Sequence, residues 1–299
     1  MRVAVAGSSG FVGSALLPRL TDAGHSVVRL VRGTPQGPDE VAWDPSAGTV
    51  DVDGLRGVDA IVNLAGAGIG DRRWSASYKR VLYDSHVGSA AVLARAAAEL
   101  EPALSALVSV GAMGYYGRAN DGGRLTESSP AGADFTATIV VDKEAATSVA
   151  AEAGVRVTLP RLGLVMDASG STFGRRLLPF AKAGILGPLG DGRAVWSVVS
   201  LSDVTRAITF LLSDESTEGP YNVAAPESTT NREFTRLLGQ AVHRPTIVPV
   251  PKVGLQLLYG EFAEDILASF DVDPARIVES GFTFEHPDAP SVVKAALHG

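Results

Sequence analysis

The sequence predicts an α/β protein: a doubly wound parallel sheet with helices on both faces, then a smaller α+β unit. Three observations lead there. The chain opens MRVAVAGSSGFVGS, a short apolar strand (Arg2 to Ala6) that runs through Gly7, Gly10 and Gly13 into a helical stretch, Phe11 to Leu20. Strand and helix patterns then alternate about five times up to Met166. Beyond Met166 the character changes: residues 167–193 are glycine-rich and the tail is cut into proline-bounded segments. The expected division is a first domain over 1–166 and a smaller lid over 167–299, with 195–213 returning to the first domain.

The opening stretch carries most of the information. A strand that stops on a glycine turn and enters a helix makes a phosphate site. The glycines permit a tight turn and a close approach of backbone, and the helix N-terminus presents free N–H groups and a partial positive charge. Ser8 and Ser9 add hydroxyls. The second strand, His25 to Val31, ends in Arg32-Gly33 with no adjacent carboxylate. A carboxylate at that place holds the 2′-hydroxyl of NAD, whereas arginine suits the 2′-phosphate of NADP. The first domain is therefore expected to be of Rossmann type and its cofactor to be NADP(H).

The remaining elements follow in order. Val41 to Val52 reads as a hairpin around Asp44-Pro45-Ser46-Ala47-Gly48. Val58 to Leu64 is a buried strand closed by Ala65-Gly66-Ala67-Gly68, small residues that let a cofactor lie against backbone. A helix over Ser75 to Leu100 carries Lys79, Ser85 and His86 and packs its alanine-rich half on the sheet. Ala106 to Val110 is a strand that ends in Gly111-Ala112-Met113-Gly114-Tyr115-Tyr116-Gly117. A polar loop with Glu127 leads to a helix over Ala137 to Glu152 with Lys143, and Val155 to Leu159 is the next strand. The second part holds an amphipathic run, Phe173 to Ala183, a short strand at Ser197 to Val199 and a helix over Ser202 to Leu212. It continues with a strand at Pro220 to Ala224, a helix that Thr230 opens with capping-box spacing to Glu233, a helix near Val253 to Leu267, and Pro274 to Gly281.

Composition narrows the function. A net charge of −7 argues against broad nucleic-acid binding and against an anionic membrane surface. The absence of cysteine excludes disulfides, thiolate metal sites and a cysteine nucleophile, and fits a reducing, cytoplasmic setting. No apolar stretch approaches the ~20 residues of a membrane span, and a core strand at the start leaves no room for a signal peptide. The histidines show no metal-ligand spacing, so no metal is expected.

Together these segments resemble the extended short-chain dehydrogenase/reductases of the NAD-dependent epimerase/dehydratase superfamily, and within it an atypical, epimerase-like branch. The residues that carry the resemblance include Gly7 to Ser14, Asn63-Leu64-Ala65-Gly66, Arg72-Arg73-Trp74, Gly114-Tyr115-Tyr116-Gly117 and Leu125-Thr126-Glu127. Arg161 with Gly163, Gly187 to Arg193, Asp203, Tyr221-Asn222 and Gly281 to Phe284 extend it over nearly the whole chain. The resemblance implies a Rossmann domain, a bound NADP(H) and a C-terminal domain that forms the substrate cleft. It implies cofactor contacts at Gly7, Ser8, Ser9, Gly10, Phe11, Val12, Arg32, Leu64, Ala65, Gly66 and Arg161. Substrate contacts are expected at Arg73, Trp74, Tyr116 and Glu127, with the arginines beside Trp74 suited to a carboxylate or phosphate.

The superfamily usually acts through a Tyr-x-x-x-Lys pair and a nearby Ser or Thr. Here no tyrosine has lysine four residues later, and Ile139 stands four residues before Lys143. The hydroxyl position falls on Ala112 or Gly111. Ser109 lies two residues up the strand on the same face as Gly111. The expected catalytic groups are thus Tyr115, Lys143 and Ser109. The expected function is an NADP-dependent oxidoreductase that moves hydride to or from a small carbonyl or hydroxyl substrate, as a monomer or homodimer. The alternative is an NADP(H)-binding protein with little or no turnover. A sugar-nucleotide epimerase ranks third, because its acid–base pair is missing.

Overall fold

The computed structural model describes residues 1–100, 104–120, 122–171 and 173–298. Strand β1 (Arg2–Ala6) shows why the sheet is covered on both faces. Val3 and Val5 enter one apolar cluster, while Ala4 and Ala6 enter another on the opposite side. Helix α1 (Phe11–Asp22) packs Leu16 and Leu20 into the first cluster. β2 (Ser26–Val31) pairs with β1, and β3 (Glu40–Asp44) with β4 (Thr49–Val50) forms the expected hairpin. β5 (Ala60–Asn63) lies on the other side of β1. Helix α2 (Ala76–Glu99), capped by Ser75, lays Val92, Leu93, Ala94, Ala96 and Ala97 against the second cluster.

β6 (Ala106–Ser109) and β7 (Gly111–Ala112) lead into a tight turn at Met113–Tyr116. The single helix expected over Ala137 to Glu152 is instead two, α3 (Phe135–Ala145) and α4 (Ser148–Glu152). The break falls where the buried Thr147 hydroxyl donates to the Glu144 carbonyl (2.7 Å). β8 (Arg156–Leu162) and β9 (Leu164–Met166) follow. After a wide turn at Phe173–Leu177 come α5 (Leu178–Lys182), β10 (Val195–Trp196), β11 (Val198–Ser200), α6 (Leu201–Ser213), β12 (Gly219–Val223), β13 (Thr229–Thr230) and α7 (Asn231–Ala241). The chain ends with α8 (Lys252–Tyr259), α9 (Phe262–Ile266), α10 (Ala275–Glu279) and α11 (Ala289–His298). The helix expected near Val253 to Leu267 is broken at Gly260, whose φ of +64° ends α8.

The main sheet has the order β12-β8-β6-β5-β1-β2-β3-β4, parallel except for the hairpin, with β7 also on β8. Its order reverses between β1 and β5, where a crevice opens at the strands' carboxyl ends. One expectation needs correction. Pro220 to Ala224 was assigned to the lid, yet β12 pairs in parallel with β8 at the edge of the main sheet. Tyr221 and Val223 enter the first cluster with Ile277, Phe282 and Phe284. A short apolar strand does not reveal by its own pattern which sheet it will join. Helix α6 packs against the same cluster, and α5, α7, α8 and α11 surround a third around Phe173, Trp196 and Phe234.

A buried carboxylate ties the tail to this scaffold. Asp203 of α6 is fully buried and accepts hydrogen bonds from Ser200 Oγ (3.0 Å), Arg206 Nη1 (2.7 Å) and the backbone N–H groups of Glu285 and His286 (2.9 Å each). Arg206 also pairs with Glu285 (3.3 Å), so a guanidinium holds these two carboxylates. Removing one partner from a buried charged network strands the others. Asp203→Ala is expected to lower stability by about 3–5 kcal/mol, read from the urea midpoint; an unchanged midpoint would show that the tail is held elsewhere.

Candidate cofactor and substrate site

The glycine turn forms a cradle that side chains would fill. Gly7 has φ +77°, and a Cβ there would lie 2.9 Å from the Leu64 carbonyl. A Cβ on Gly13 would lie 2.1 Å from the Gly7 oxygen. Helix α1 starts at Gly10 with no side-chain cap and no acidic residue in its first turn. Its leading N–H groups are therefore available to an anion. Ser8 is buried, Ser9 is exposed, and Phe11 and Val12 are half-buried. Gly170 lies over the Phe11 ring, where a Cβ would be 3.0 Å from it. Arg32 is exposed at the end of β2. Among the described residues it makes no ion pair, and Asp44, which feels its charge, is held by Ser46 and Ala47.

The second wall is the loop after β5, kept as bare backbone by α2. Asn63 Oδ1 accepts from the Ala65 N–H (3.0 Å), and Ser85 Oγ accepts from the Ala67 N–H (3.0 Å). His86 Nε2 donates to the Ala67 carbonyl (3.1 Å), which fixes its tautomer. A Cβ on Gly66 would lie 2.2 Å from the His86 ring, so glycine is required there. Burial, with the Lys143 cation as a smaller contribution, lowers the His86 pKa to about 4, so the imidazole is neutral near pH 7. Leu64, Ala65 and Gly66 are thus pinned beside Gly7.

The floor between these walls is polar and incompletely satisfied. Lys143 is buried, and its Nζ donates to the Val110 carbonyl (2.7 Å). Among the described residues no carboxylate pairs with it, and burial lowers its pKa to about 8. The buried Ser109 Oγ has no hydrogen-bond partner. Ala112, the neighbouring position where a hydroxyl was sought, is exposed. Ile139, one turn before Lys143, is buried with Trp74, Tyr78, Leu82 and Phe262.

A separate cluster braces the loop above β8. Arg161 is 2% exposed and makes two 2.8 Å contacts with Glu144. Its Nη1 reaches Tyr116 Oη and the Glu127 carbonyl (3.3 Å each), and its guanidinium lies 3.3 Å from the centroid of the half-buried Tyr115 ring. Tyr116 Oη donates to Asn222 Oδ1 (2.6 Å), and Glu127 Oε1 accepts from the Asn222 N–H (2.8 Å). Burial raises both the Tyr116 and the Glu127 pKa. Arg161, Tyr116 and Glu127 are therefore hydrogen-bonded to one another and to Asn222. Trp74 is also enclosed: its Nε1 donates to the Ile69 carbonyl (2.9 Å), and its ring stacks on Phe262 at 5.2 Å and meets Phe135 edge-on at 5.3 Å. Arg73 is exposed, with its side chain against Gly260.

The structure thus sets Lys143 on the carbonyl of Val110, the residue after Ser109, groups Tyr115, Tyr116, Glu127 and Glu144 around Arg161, and places Arg73 against Gly260 and Trp74 against Phe262. Sequence reasoning passed over Glu144 and Phe262. A carboxylate next to Lys143 signals nothing by itself, because its partner Arg161 lies on another element. Phe262 lies in a segment whose apolar pattern looks like any core helix.

A Rossmann-type fold, with a parallel sheet in dinucleotide-binding order, is the class these elements define. The chain belongs to the NAD dependent epimerase/dehydratase family, whose model matches residues 3–224. A domain of unknown function matches residues 250–296. An epimerase family protein of Mycobacterium tuberculosis is 40% identical over 285 residues, covering 95% of this chain and 93% of that protein. The human epimerase family protein SDR39U1 is 33% identical over 298 residues, covering 98% and 99%. The crystal structure of human SDR39U1 (isoform2) with NADPH superposes with a TM-score of 0.90 at 30% identity, covering 99% of both chains. A nucleoside-diphosphate sugar epimerase from Corynebacterium glutamicum gives 0.81 at 30% identity, covering 99% of this chain and 58% of that one.

The Gly66–His86 contact gives a direct test of the second wall. Gly66→Ala is expected to lower stability by about 1–3 kcal/mol through overpacking. His86→Ala added to it should recover part of that loss by opening space for the methyl group. Additive losses in a urea-denaturation double-mutant cycle would contradict the contact.

Proposed function

We propose that this chain is an NADP(H)-dependent oxidoreductase acting on a small carbonyl or hydroxyl substrate, with Lys143 as its proton-transferring group. The observation that carries the reading is a buried lysine without a paired carboxylate among the described residues, held on the Val110 carbonyl past the end of β6, two strands from the one that runs into the glycine cradle. The residues fit the cofactor. The open N-terminus of α1 and the Cβ-free surface of Gly7 and Gly13 suit a pyrophosphate. The unpaired Arg32 suits a 2′-phosphate. The orphan Ser109 hydroxyl and Lys143 lie where polar groups would meet the reacting end. The relative crystallised with NADPH supports the same choice of nucleotide.

When bound, the nicotinamide supplies or accepts a hydride at carbon. Lys143 holds its proton at Nζ near pH 7, and the Val110 carbonyl fixes its direction. As hydride reaches a carbonyl carbon, Lys143 passes that proton to the oxygen and is reprotonated from solvent. Oxidation of the alcohol runs the same transfer backwards. A proton donor with a pKa near the working pH is effective in both directions. Ser109 Oγ is free to orient the substrate oxygen, and Tyr115 is the phenol next in line. A cytoplasmic setting, as a monomer or homodimer, belongs to the same reading and is supported by the cysteine-free composition.

A second reading is an NADP(H)-binding protein with little turnover. It is favoured by Ile139, buried under Trp74 and Phe262 where the superfamily would place its tyrosine. NADPH oxidation across a panel of aldehydes and ketones separates the two. Turnover that stays level below about pH 8 and falls above it is the expected profile, because the protonated lysine is the donor in reduction. Lys143→Met should reduce kcat/KM at least about 100-fold. The same variant should raise Tm at pH 7. Folding depresses this lysine from about 10.4, so the folded state holds its proton less well, and stability is gained only as pH rises through about 8. No oxidation with any substrate would favour the second reading, and unaltered turnover in Lys143→Met would remove the lysine from the chemistry.

A further inference from the structure

Four exposed arginines lie on two stretches of chain, the loop after β5 and the wide turn before α5, which Asp71 ties together. Arg72 and Arg73 come from that loop, and Arg175 and Arg176 from the wide turn before α5. Contacts close a ring around them. Arg175 Nη2 lies 2.8 Å from Asp71 Oδ1, and Arg176 Nη2 donates to the Asp71 carbonyl (3.3 Å). The Arg176 guanidinium is 5.8 Å from the Tyr259 ring centroid, and the neighbouring Gly260 packs on Arg73, where a Cβ would be 3.2 Å from Arg73 Cγ. Arg72 sits 5.8 Å from the Tyr78 ring centroid, and Tyr78 Oη donates to the Gly68 carbonyl (2.5 Å). That loop returns to Asp71, whose N–H donates to the same carbonyl (3.1 Å).

The charge in this ring does not balance. Among the described residues Asp71 is the one carboxylate that pairs with any of the four guanidiniums. Glu261, next to Gly260, is taken by Lys79 (2.9 Å). The Asp71 carboxylate is folded back on the chain: a Cβ on Gly68 would lie 2.3 Å from its Oδ2. Clustered like charges repel unless an anion joins them, and guanidinium forks match carboxylate and phosphate oxygens. This concentration of positive charge stands out on a chain of net charge −7. Half-buried Ile69 and Tyr259 give it apolar flanks.

We propose that Arg73, Arg175 and Arg176 form an oxyanion subsite in which the Asp71 carboxylate is a stand-in, and that the substrate carries a carboxylate or phosphate that displaces it. The proposal deepens the oxidoreductase reading, and rests on it only in calling the ligand a substrate. An incoming anion breaks the Asp71–Arg175 pair and replaces it, so the two anions compete for the same guanidiniums.

The test is calorimetric titration of the full chain with 2-naphthoate, 2-naphthyl phosphate and the neutral 2-naphthamide. At least one anion should bind ten-fold or more tightly than the amide, and the better of the two identifies the oxyanion. Arg73→Gln with Arg176→Gln should abolish that preference. Asp71→Asn should tighten anion binding several-fold, which distinguishes a displaced competitor from a structural tie. Equal binding of anion and amide, no binding of any probe, or anion binding weakened by Asp71→Asn would overturn the proposal. NADPH titrated into the same samples keeps the two ideas apart. Normal NADPH binding without an anion preference defeats the subsite alone, and an anion preference without NADPH binding defeats the cofactor reading alone.

Discussion

The site rests on the close approach of Gly7 to its neighbours. Its left-handed turn puts its own carbonyl against Gly13 at the head of α1 and its Cα against Leu64 at the end of β5. Both distances are too short for any side chain on the facing glycines, so the geometry depends on glycine at both places. That approach allows an open helix N-terminus and a stretch of bare backbone to face one crevice. The Ala67 N–H donates to Ser85 and the Ala67 carbonyl accepts from His86, which holds the second wall in place, and the His86 ring lies where a side chain on Gly66 would go. The recognition surface is therefore backbone, shaped by what the side chains beneath it exclude.

Lys143 links this scaffold to chemistry. Burying a cation beside one carbonyl, without a carboxylate, costs stability and depresses its pKa. The neighbouring Glu144 could have neutralised it but is committed to Arg161. The adjacent Ser109 hydroxyl is left unsatisfied. A buried cation without a carboxylate and a hydroxyl without a partner, both at the carboxyl edge of a parallel sheet, suit a site that takes a polar ligand. Ile139 is packed with Trp74 and Phe262, and an isoleucine cannot transfer a proton, so in the proposed function that role falls to the lysine.

Much of this was legible in the sequence, for identifiable reasons. The glycine turn, Arg32 and the Ala65-Gly66 loop are local in sequence, and their chemistry follows from what lies next to them. Lys143 was legible as a position, but its missing counter-ion was not, because Glu144 and Arg161 meet only after α3 packs on β8. The sequence points Arg161 to the cofactor and Glu127 to the substrate, but not the bonds that tie them together through Tyr116 and Asn222, because Asn222 comes from β12, a strand whose membership of the main sheet has no local signal. Arg73 shows its charge in the sequence, whereas Arg175 and Arg176, with which it forms the proposed subsite, lie about a hundred residues away.

The central claim is that the cradle, with Arg32 at its rim, holds NADP(H). Isothermal titration of the purified chain with NADPH and with NADH tests it most directly. NADPH should bind saturably and at least ten-fold more tightly than NADH, with the difference erased in Arg32→Ala. Tighter binding of NADH, or heat from neither nucleotide, would contradict it.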